Sequence, residues 1–594
     1  MKPQRLLAWL AVGVLVAAAL PWLLLRANPL LPREWSTSSA EARIIGLERL
    51  RDLGELPADP YVIVSPFNEE VGRARLIETH RAGRSAEELQ ASHAYRDFWG
   101  WRVTVYDRER PAHQWAYRAR VSPAGDVVQL ERRIADEEGS GTIDASAARA
   151  RADALLVEQG RDLSAYEEPV ARAKDLDSRT DTTLRYRDRE AFFGRVVGYG
   201  VEVKFAGDEL MGFAPYIEDP DEEPILQRAA VFELLGQVWI FSPVLLAPLM
   251  AVPFLRRYHA GEIGVRRGLQ ITLVVEACGL VILLFCARAI GEGWGIGNLT
   301  RPQVVLVVFS QMLVLYFLPM AILAFLAWSV GESLCREREG RRLAALDALF
   351  RGQWRNATFA RAALIGTVAG LVISFVVQAL TVAFEPLGFE NMDVLGGPPW
   401  WASAAWFCVP LVLFPVAYAL SANLFGQLFL ASLLRRKLGP WVGGVLATLV
   451  AVAIFFPPLF GRPLVWMFAI SLVAWGLAVV VFFRYGILAT LVAQVVAMVV
   501  PAAVPLLAAS DVSLQTNASL ALLFVALPLV AGARHLASKE ELVYRYEDVP
   551  PHVRRIAERE RQKVELETAR NIQSSILPEL PPEVNGLRMA HAYL

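Results

Sequence analysis

The sequence predicts a polytopic α-helical membrane protein of about ten transmembrane helices, with an extracytoplasmic α+β domain and a C-terminal cytoplasmic helix. Hydrophobic residues make up 55% of the 594 residues, and the mean hydropathy is +0.36, too apolar for an ordinary soluble enzyme. Charged residues crowd into 33–230 and 534–588, and long apolar runs fill the segment between them. The formal net charge of −1 hides this asymmetry, so we expect no nucleic-acid partner and take the lipid bilayer as the main one.

Residues 1–26 predict an uncleaved signal-anchor helix. An uninterrupted apolar run extends from Leu6 to Leu25 and ends at Arg26. About twenty residues are enough to span the ~30 Å hydrocarbon core. Trp22 and three leucines stand where a signal peptide would carry a small-residue cleavage site, so we expect the segment to remain as an anchor.

Residues 27–230 predict a water-soluble α+β domain outside the membrane, because the composition is polar and apolar residues alternate. Helical spacing predicts helices over 39–53 and 145–159, the second with Asp144 as its N-cap. Each helix precedes antiparallel strands, which favours a duplicated module. Aromatic residues on these strands are interpreted as the buried face of a sheet. The predicted strands are 101–106, 114–121, 127–134, 182–187, 197–205 and 209–213.

Residues 231–535 predict a bundle of nine further transmembrane helices. The segment 401–434 fits either one tilted span or a span with a re-entrant piece around 421–425. Arginine and lysine concentrate in every second loop, and the positive-inside rule then places both termini in the cytoplasm and residues 27–230 outside. The predicted spans lie near 235–255, 269–290, 303–330, 362–384, 401–434, 441–458, 464–483, 486–507 and 519–533.

Glu276 is the candidate functional residue inside the bundle. It lies in the middle of a predicted span, where a carboxylate is unfavourable unless it is paired, protonated or hydrated. The structural alternative is that intramembrane amides hydrogen-bond to Glu276 or to one another. These amides belong to Gln311, Gln378, Asn423, Gln427 and Gln494. The four cysteines lie in or beside apolar segments and offer neither a disulfide framework nor a metal site.

The hexapeptide Gly331-Glu332-Ser333-Leu334-Cys335-Arg336 resembles the E-E-x-x-x-R motif of the CAAX-protease (CPBP) membrane family. That family binds a catalytic metal through two glutamates and histidines on later helices. Here Glu332 and Arg336 match, but Gly331 replaces the first glutamate and all seven histidines lie outside the apolar spans. We therefore assign no metal ligand and no catalytic residue. The alternatives are an inactive protease of this class, a simple i,i+4 ion pair, or a transporter.

Residues 536–577 predict a cytoplasmic linker that forms a coiled coil. Its apolar positions follow steps of three and four residues through a highly charged helix, and they make a stripe too narrow to stabilise a helix alone. We therefore expect a homodimer through this helix. The candidate dimerisation stripe consists of Val564, Ala569, Ile572 and Ile576.

The final segment carries the pattern E-x-A-R-x-I-Q-x-S-x-L-P-x-x-x-P, formed by Glu567, Ala569, Arg570, Ile572, Gln573, Ser575, Leu577, Pro578 and Pro582. Over residues 565–594 it resembles the entry helix of SpoIIE/RsbU-type (PPM) serine/threonine phosphatases. The resemblance implies that 578–594 begins a catalytic domain in which aspartates hold two Mn²⁺ or Mg²⁺ ions and a phosphoprotein is hydrolysed. None of those aspartates lies in this sequence, so we expect no cofactor in the chain itself. The expected role is the sensor and membrane portion of such a phosphatase in the bacterial inner membrane.

Overall fold

A computed structural model describes most of the chain, and it contains a sheet domain and a helical bundle. The first membrane helix, α1, spans Pro3–Ala27. The described residues are 3–30, 35–138, 141–190, 192–194, 196–223, 231, 234, 238, 242–292, 297–391, 404–455, 461–535, 551–576, 583–584 and 587–588.

The sheet domain contains one eight-stranded antiparallel sheet, in which the strand order is β1-β2-β3-β4-β8-β7-β6-β5. Its strands are β1 Pro60–Asn68, β2 Trp99–Asp107, β3 Trp115–Val121, β4 Val127–Arg132, β5 Val170–Asp175, β6 Thr180–Arg187, β7 Gly198–Ala206 and β8 Glu209–Glu218. Its helices are α2 Ser39–Leu50, α3 Glu70–Arg81, α4 Ala86–Ala91, α5 His93–Phe98 and α6 Ala145–Glu158. Each half of the domain has a helix before four strands, and the final strands of the two halves pair at the centre, where Leu130 lies opposite Phe213. A duplicated module would give this arrangement.

The two helices predicted from the sequence begin at side-chain caps. The Ser38 hydroxyl accepts a hydrogen bond from the backbone N–H of Glu41 at 3.1 Å, and the Glu41 carboxylate accepts one from the backbone N–H of Ser38 at 2.9 Å. This capping box starts α2. Asp144 accepts from the backbone N–H of Ser146 at 3.0 Å and starts α6, so the predicted N-cap is confirmed. Trp101 and Tyr117 are buried, which confirms that strand aromatics form the buried face.

Among the described residues, eight helical segments are long and apolar enough to cross a membrane, counting α1 and counting helices that run on into one another as one. Two shorter apolar helices accompany them. These are α7, whose described part begins at residue 242, and α15, which has 16 residues. A multi-pass membrane protein is therefore supported, and the count of ten spans stays a prediction.

The individual helices after the sheet domain are α7 Ser242–His259, α8 Val265–Cys286, α9 Arg301–Gln311, α10 Leu318–Glu339, α11 Ala344–Phe350, α12 Ala357–Phe384, α13 Cys408–Tyr418, α14 Ser432–Leu438, α15 Pro440–Phe455, α16 Leu464–Tyr485, α17 Ile487–Ala503, α18 Val512–His535 and α19 Pro551–Ile576.

Two of the long spans contain π-helical segments. Met312–Phe317 joins α9 to α10, and Ala419–Ala431 joins α13 to α14. The second has 13 residues, most of them buried between neighbouring helices. The predicted segment 401–434 is therefore one continuous helix from 408 onward, and the re-entrant alternative around 421–425 is wrong. We name residues 419–431 the long π segment.

Small residues bring α12 and α17 into close contact. A Cβ atom placed on Gly366 would lie 2.6 Å from the carbonyl oxygen of Ala489, and one placed on Gly370 would lie 2.6 Å from that of Ala493. Both glycines and both alanines are four residues apart, so they share one face of each helix. This small-xxx-small packing is a common way for membrane helices to associate.

The sheet domain and α19 lie at opposite ends of the bundle. At the first end, Tyr61 donates a hydrogen bond to the carbonyl oxygen of Arg288 at 3.1 Å, just after α8 ends. At the other end, Arg559 of α19 forms an ion pair with Glu262, just before α8 begins. The 22 residues of α8 separate these ends by ~33 Å. We name them the sheet-domain end and the arginine-rich end.

Candidate functional site: a buried ion cluster

The residues of the CPBP-like motif lie in a buried ion network at the arginine-rich end. The Arg336 side chain donates from Nε to Glu332 at 2.9 Å. Its Nη2 donates to both carboxylate oxygens of Asp347, at 2.8 and 3.0 Å. The three side chains are between 1% and 6% exposed. The predicted i,i+4 pair between Glu332 and Arg336 is therefore confirmed, and Asp347 of α11 joins it to form a desolvated triad.

A second arginine balances the two carboxylates. Arg267, in the first turn of α8, donates to Glu332 at 3.2 Å and also to Asp347. Its guanidinium lies 5.6 Å from the ring centroid of Phe350. Two guanidinium groups thus face two carboxylates. Removing one partner of such a buried set leaves an uncompensated charge, which is strongly destabilising.

Arg257, near the end of α7, forms a neighbouring set of ion pairs against the same stretch of α10. It donates to the hydroxyl of Ser333 at 2.5 Å and to Glu337 at 2.8 Å. It also lies 3.3 Å from Glu262, while Glu337 forms a further ion pair with Arg436 of α14. We define the ion cluster as Arg257, Glu262, Arg267, Glu332, Arg336, Glu337 and Asp347. Its members come from α7, α8, α10, α11 and the loop before α8, so the cluster joins separate elements of the bundle.

The C-terminal helix α19 is attached to the edge of this cluster. Arg559 pairs with Glu262, whose side chain is 7% exposed, while the side chain of Arg559 itself is 69% exposed. One turn earlier, Arg555 packs against Gly261, where an added Cβ would lie 2.6 Å from Nη1. Gly261 has φ +69°, a conformation that favours glycine. The helix therefore rests on the cluster at Glu262 and Gly261, and it also packs beside α10.

Charge-assisted hydrogen bonds dominate the chemistry of the cluster. Glu332 and Asp347 are each held by guanidinium groups, which stay protonated at all ordinary pH values. No group of three or more His, Cys, Asp or Glu residues within the described ranges could hold a metal ion. The ion pairs therefore tie α8, α10 and α11 together.

Glu276 lies apart from this cluster, along α8. It is half-buried, and its Oε1 atom is buried without a hydrogen-bond partner in the part of the chain that the structure describes. No described hydrogen bond joins it to an intramembrane amide. The polar side-chain atoms of Asn423 and Gln427, in the long π segment, are buried and also without partners there, as is Oε1 of Gln378. Within the described residues, these groups therefore do not hydrogen-bond to one another.

The candidate dimerisation stripe is exposed in the single chain. The exposed fractions are 59% for Val564 and 52% for Ile572, and Ala569 is exposed as well, while the side chain of Ile576 lies outside what the structure describes. Homodimerisation stays a prediction. Residues 536–550 and most of 578–594 lie outside the described residues, except that Glu583–Val584 pairs with Leu587–Arg588.

Sequence reasoning missed most of the ion cluster. Asp347, Arg267, Arg257 and Glu262 are far from the Glu332 motif in sequence, and no spacing rule links them. One local signal was present. Asp347 stands alone in the apolar run Ala344–Phe350, and an isolated carboxylate in such a run indicates a buried partner.

The chain was also compared with known proteins. No family model, no curated protein and no solved structure matches it. The geometry of the ion cluster and of α19 is therefore the main support for a functional assignment.

Proposed function

We propose that this chain is the sensor and membrane portion of a SpoIIE/RsbU-type protein phosphatase. In this proposal, a signal received by the sheet domain or the bundle changes the ion cluster, and α19 carries that change to a metal-dependent phosphatase domain. The observation that supports it is the contact between Arg559 and Glu262. This contact attaches α19 to the ion cluster, at the end of the bundle opposite the sheet domain.

Helix α8 is the proposed path between the two ends. Just beyond its C-terminus, the carbonyl oxygen of Arg288 accepts from Tyr61 of β1 at 3.1 Å. Near its N-terminus, Arg267 holds Glu332 and Asp347. A helix is stiff along its axis, so a displacement of the sheet domain relative to the bundle would move Arg267. The ion pairs of Arg267 would then have to rearrange.

The two faces of α19 suit this role. At 100° per residue, Val564 and Ile572 lie about 100–180° around the helix from Arg555 and Arg559, whereas Ala569 lies only about 40–80° from them. The side of the stripe that carries Val564 and Ile572 is thus away from the docking face and open to a second helix. We propose a homodimer through Val564, Ala569, Ile572 and Ile576, in which docking changes the position of both phosphatase domains together.

The proposed location is the bacterial inner membrane, with the arginine-rich end and both termini in the cytoplasm and residues 27–230 outside. The four native cysteines are buried, so single engineered cysteines can report accessibility. In intact cells, we expect an impermeant thiol reagent to label Ala124→Cys in the sheet domain and not Glu567→Cys in α19. The reverse pattern would contradict the orientation.

The decisive test of the phosphatase proposal measures hydrolysis directly. A protein extended past residue 594 by about 200 residues, one domain length, is expected to hydrolyse phosphoserine in the presence of Mn²⁺ or Mg²⁺ and to stop when the metal is chelated. Glu262→Gln should change that rate, because it releases the docked helix, whereas Arg256→Gln at the same end should not. A folded extension without metal-dependent activity would refute the assignment.

A further inference from the structure

A cavity of 780 Å³ lies at the arginine-rich end, between α1, α12 and the chain segments that follow α10 and α16. Its volume is within the usual range of ligand sites. Four arginines line its wall, and no acidic residue does. These are Arg341, Arg342, Arg361 and Arg484. The cavity is therefore strongly positive.

The charge of this cavity is only partly neutralised. Arg342 forms an ion pair with Glu339 at 2.5 Å and lies over the rings of Phe482 and Phe483. Arg341 and Arg484 are both exposed, and neither has an ion pair among the residues that the structure describes. Two positive charges thus remain available to an anionic ligand.

Two aromatic residues mark the depth of the cavity in a membrane. Trp9 of α1 donates from Nε1 to the hydroxyl of Tyr485 at 3.2 Å, and their rings meet edge to face at 5.8 Å. Tryptophan and tyrosine concentrate at the level of the lipid headgroups, where one edge of the ring is polar and the rest apolar. The mouth of the cavity therefore lies where lipid phosphates lie.

The remainder of the cavity is apolar and extends along α12. Ala8 and Val12 on its wall are exposed toward the outside of the bundle, where acyl chains would lie. Arg361 and Val372 both line it and are eleven residues apart on α12, which is ~16 Å along the helix. A charged mouth and an apolar floor of this length match a lipid better than a small ion.

We propose that this cavity binds an anionic phospholipid, with its phosphate held by Arg341 and Arg484 and the upper part of one acyl chain along Val12 and Val372. Guanidinium groups bind phosphate oxygens through two parallel hydrogen bonds. Basic pockets between membrane helices are suited to anionic headgroups. The site is independent of the phosphatase assignment, since it requires only that the bundle lies in a membrane.

The test uses the full chain, delipidated in an uncharged detergent. Dioctanoyl phosphatidylglycerol, dioctanoyl phosphatidylcholine and inorganic phosphate are titrated separately, and the thermal unfolding midpoint and native mass spectra are recorded. The first variant is Arg341→Gln/Arg484→Gln. Its matched control, Arg256→Gln/Arg266→Gln, removes the same charge from exposed positions at the same end. The second variant, Ala8→Trp, fills the cavity and leaves its charge unchanged.

We expect phosphatidylglycerol to bind and to raise the unfolding midpoint of the natural chain and the control. Binding should be at least about tenfold weaker in both cavity variants. Phosphatidylcholine and inorganic phosphate should have little effect. Equal binding by the cavity variants and the control would overturn the proposal. So would an equal response to phosphatidylcholine, or a response to phosphate as large as that to the anionic lipid.

Discussion

The two ends of the bundle hold their attached parts by different physical means. At the sheet-domain end, Trp35 and Trp101 are buried in one apolar cluster with bundle residues such as Leu20 and Val499, and backbone groups hydrogen-bond across the contact. At the arginine-rich end, the contact of α19 that the structure describes in most detail is an ion pair between Arg559 and Glu262. Apolar burial is insensitive to salt, whereas a half-exposed ion pair is weak and screened. The sheet domain is thus attached firmly, and α19 is attached in a way that can be released.

The largest loss of stability is expected from disrupting the apolar contact between the sheet domain and the bundle. Trp101 is 1% exposed, meets Trp35 edge to face at 5.4 Å and donates from Nε1 to the carbonyl oxygen of Thr37 at 2.7 Å. Trp101→Ala removes the ring and this hydrogen bond, and should lower the free energy of unfolding of the sheet domain by about 3–5 kcal/mol. Pulse proteolysis measures this. Ile44→Ala, at an exposed position of α2, should change it by less than about 0.5 kcal/mol, and equal losses would mean that Trp101 is not part of this apolar contact.

A smaller loss of stability is expected when one carboxylate is removed from the ion cluster. Asp347→Ala leaves Arg267 and Arg336 facing Glu332 alone, and should destabilise the bundle by about 3 kcal/mol, the low end of the range for buried pairs because Arg267 is partly exposed. Chemical unfolding in detergent measures the change. Asp347→Ala/Arg336→Met should recover part of the loss, since it removes the unpaired charge as well. No recovery would show that Asp347 acts through packing.

The smallest effect is expected at the contact with α19. Arg559→Gln removes the charge that pairs with Glu262 and should weaken docking by no more than about 1 kcal/mol, because Arg559 is mostly exposed. Hydrogen exchange in 551–576 should then rise a few-fold, while exchange in β2 stays unchanged. High salt should act in the same direction. Arg561→Gln, which breaks an exposed pair with Glu565 within α19, serves as the control, and an equal rise there would place the effect in helix stability instead of docking.

Local patterns predicted much of the sheet domain. The predicted helix 145–159 is observed as Ala145–Glu158, and the predicted strand 114–121 as Trp115–Val121. Strand β1 was missed because Pro60 and Pro66 interrupt its alternation, and proline normally argues against a strand. Here β1 is an edge strand that pairs on one side, with β2, so the missing N–H groups are tolerated.

The candidate site was less predictable than the fold, for a physical reason. Helical and strand periodicities are local, so they appear in any short window of sequence. Arg267 on α8 and Asp347 on α11 complete the ion network around Glu332 and Arg336, and tertiary packing alone brings them together. The resemblance at Glu332 and Arg336 drew attention to this stretch of α10, but it gave no sign of the buried ion network there.

The long π segment has a consequence for the position of α14. A π turn closes its hydrogen bonds at i→i+5 and holds about one more residue than an α turn. Taking up or releasing one residue within 419–431 would rotate α14 by about 100° and slide it by ~1.5 Å. Arg435 and Arg436 of α14 pair with Glu339 and Glu337 of α10, so such a step would separate these partners. Spin labels at 340 and 437, beside the ion pairs, should show two separations if the step occurs, and a single fixed separation under all conditions would show that it does not.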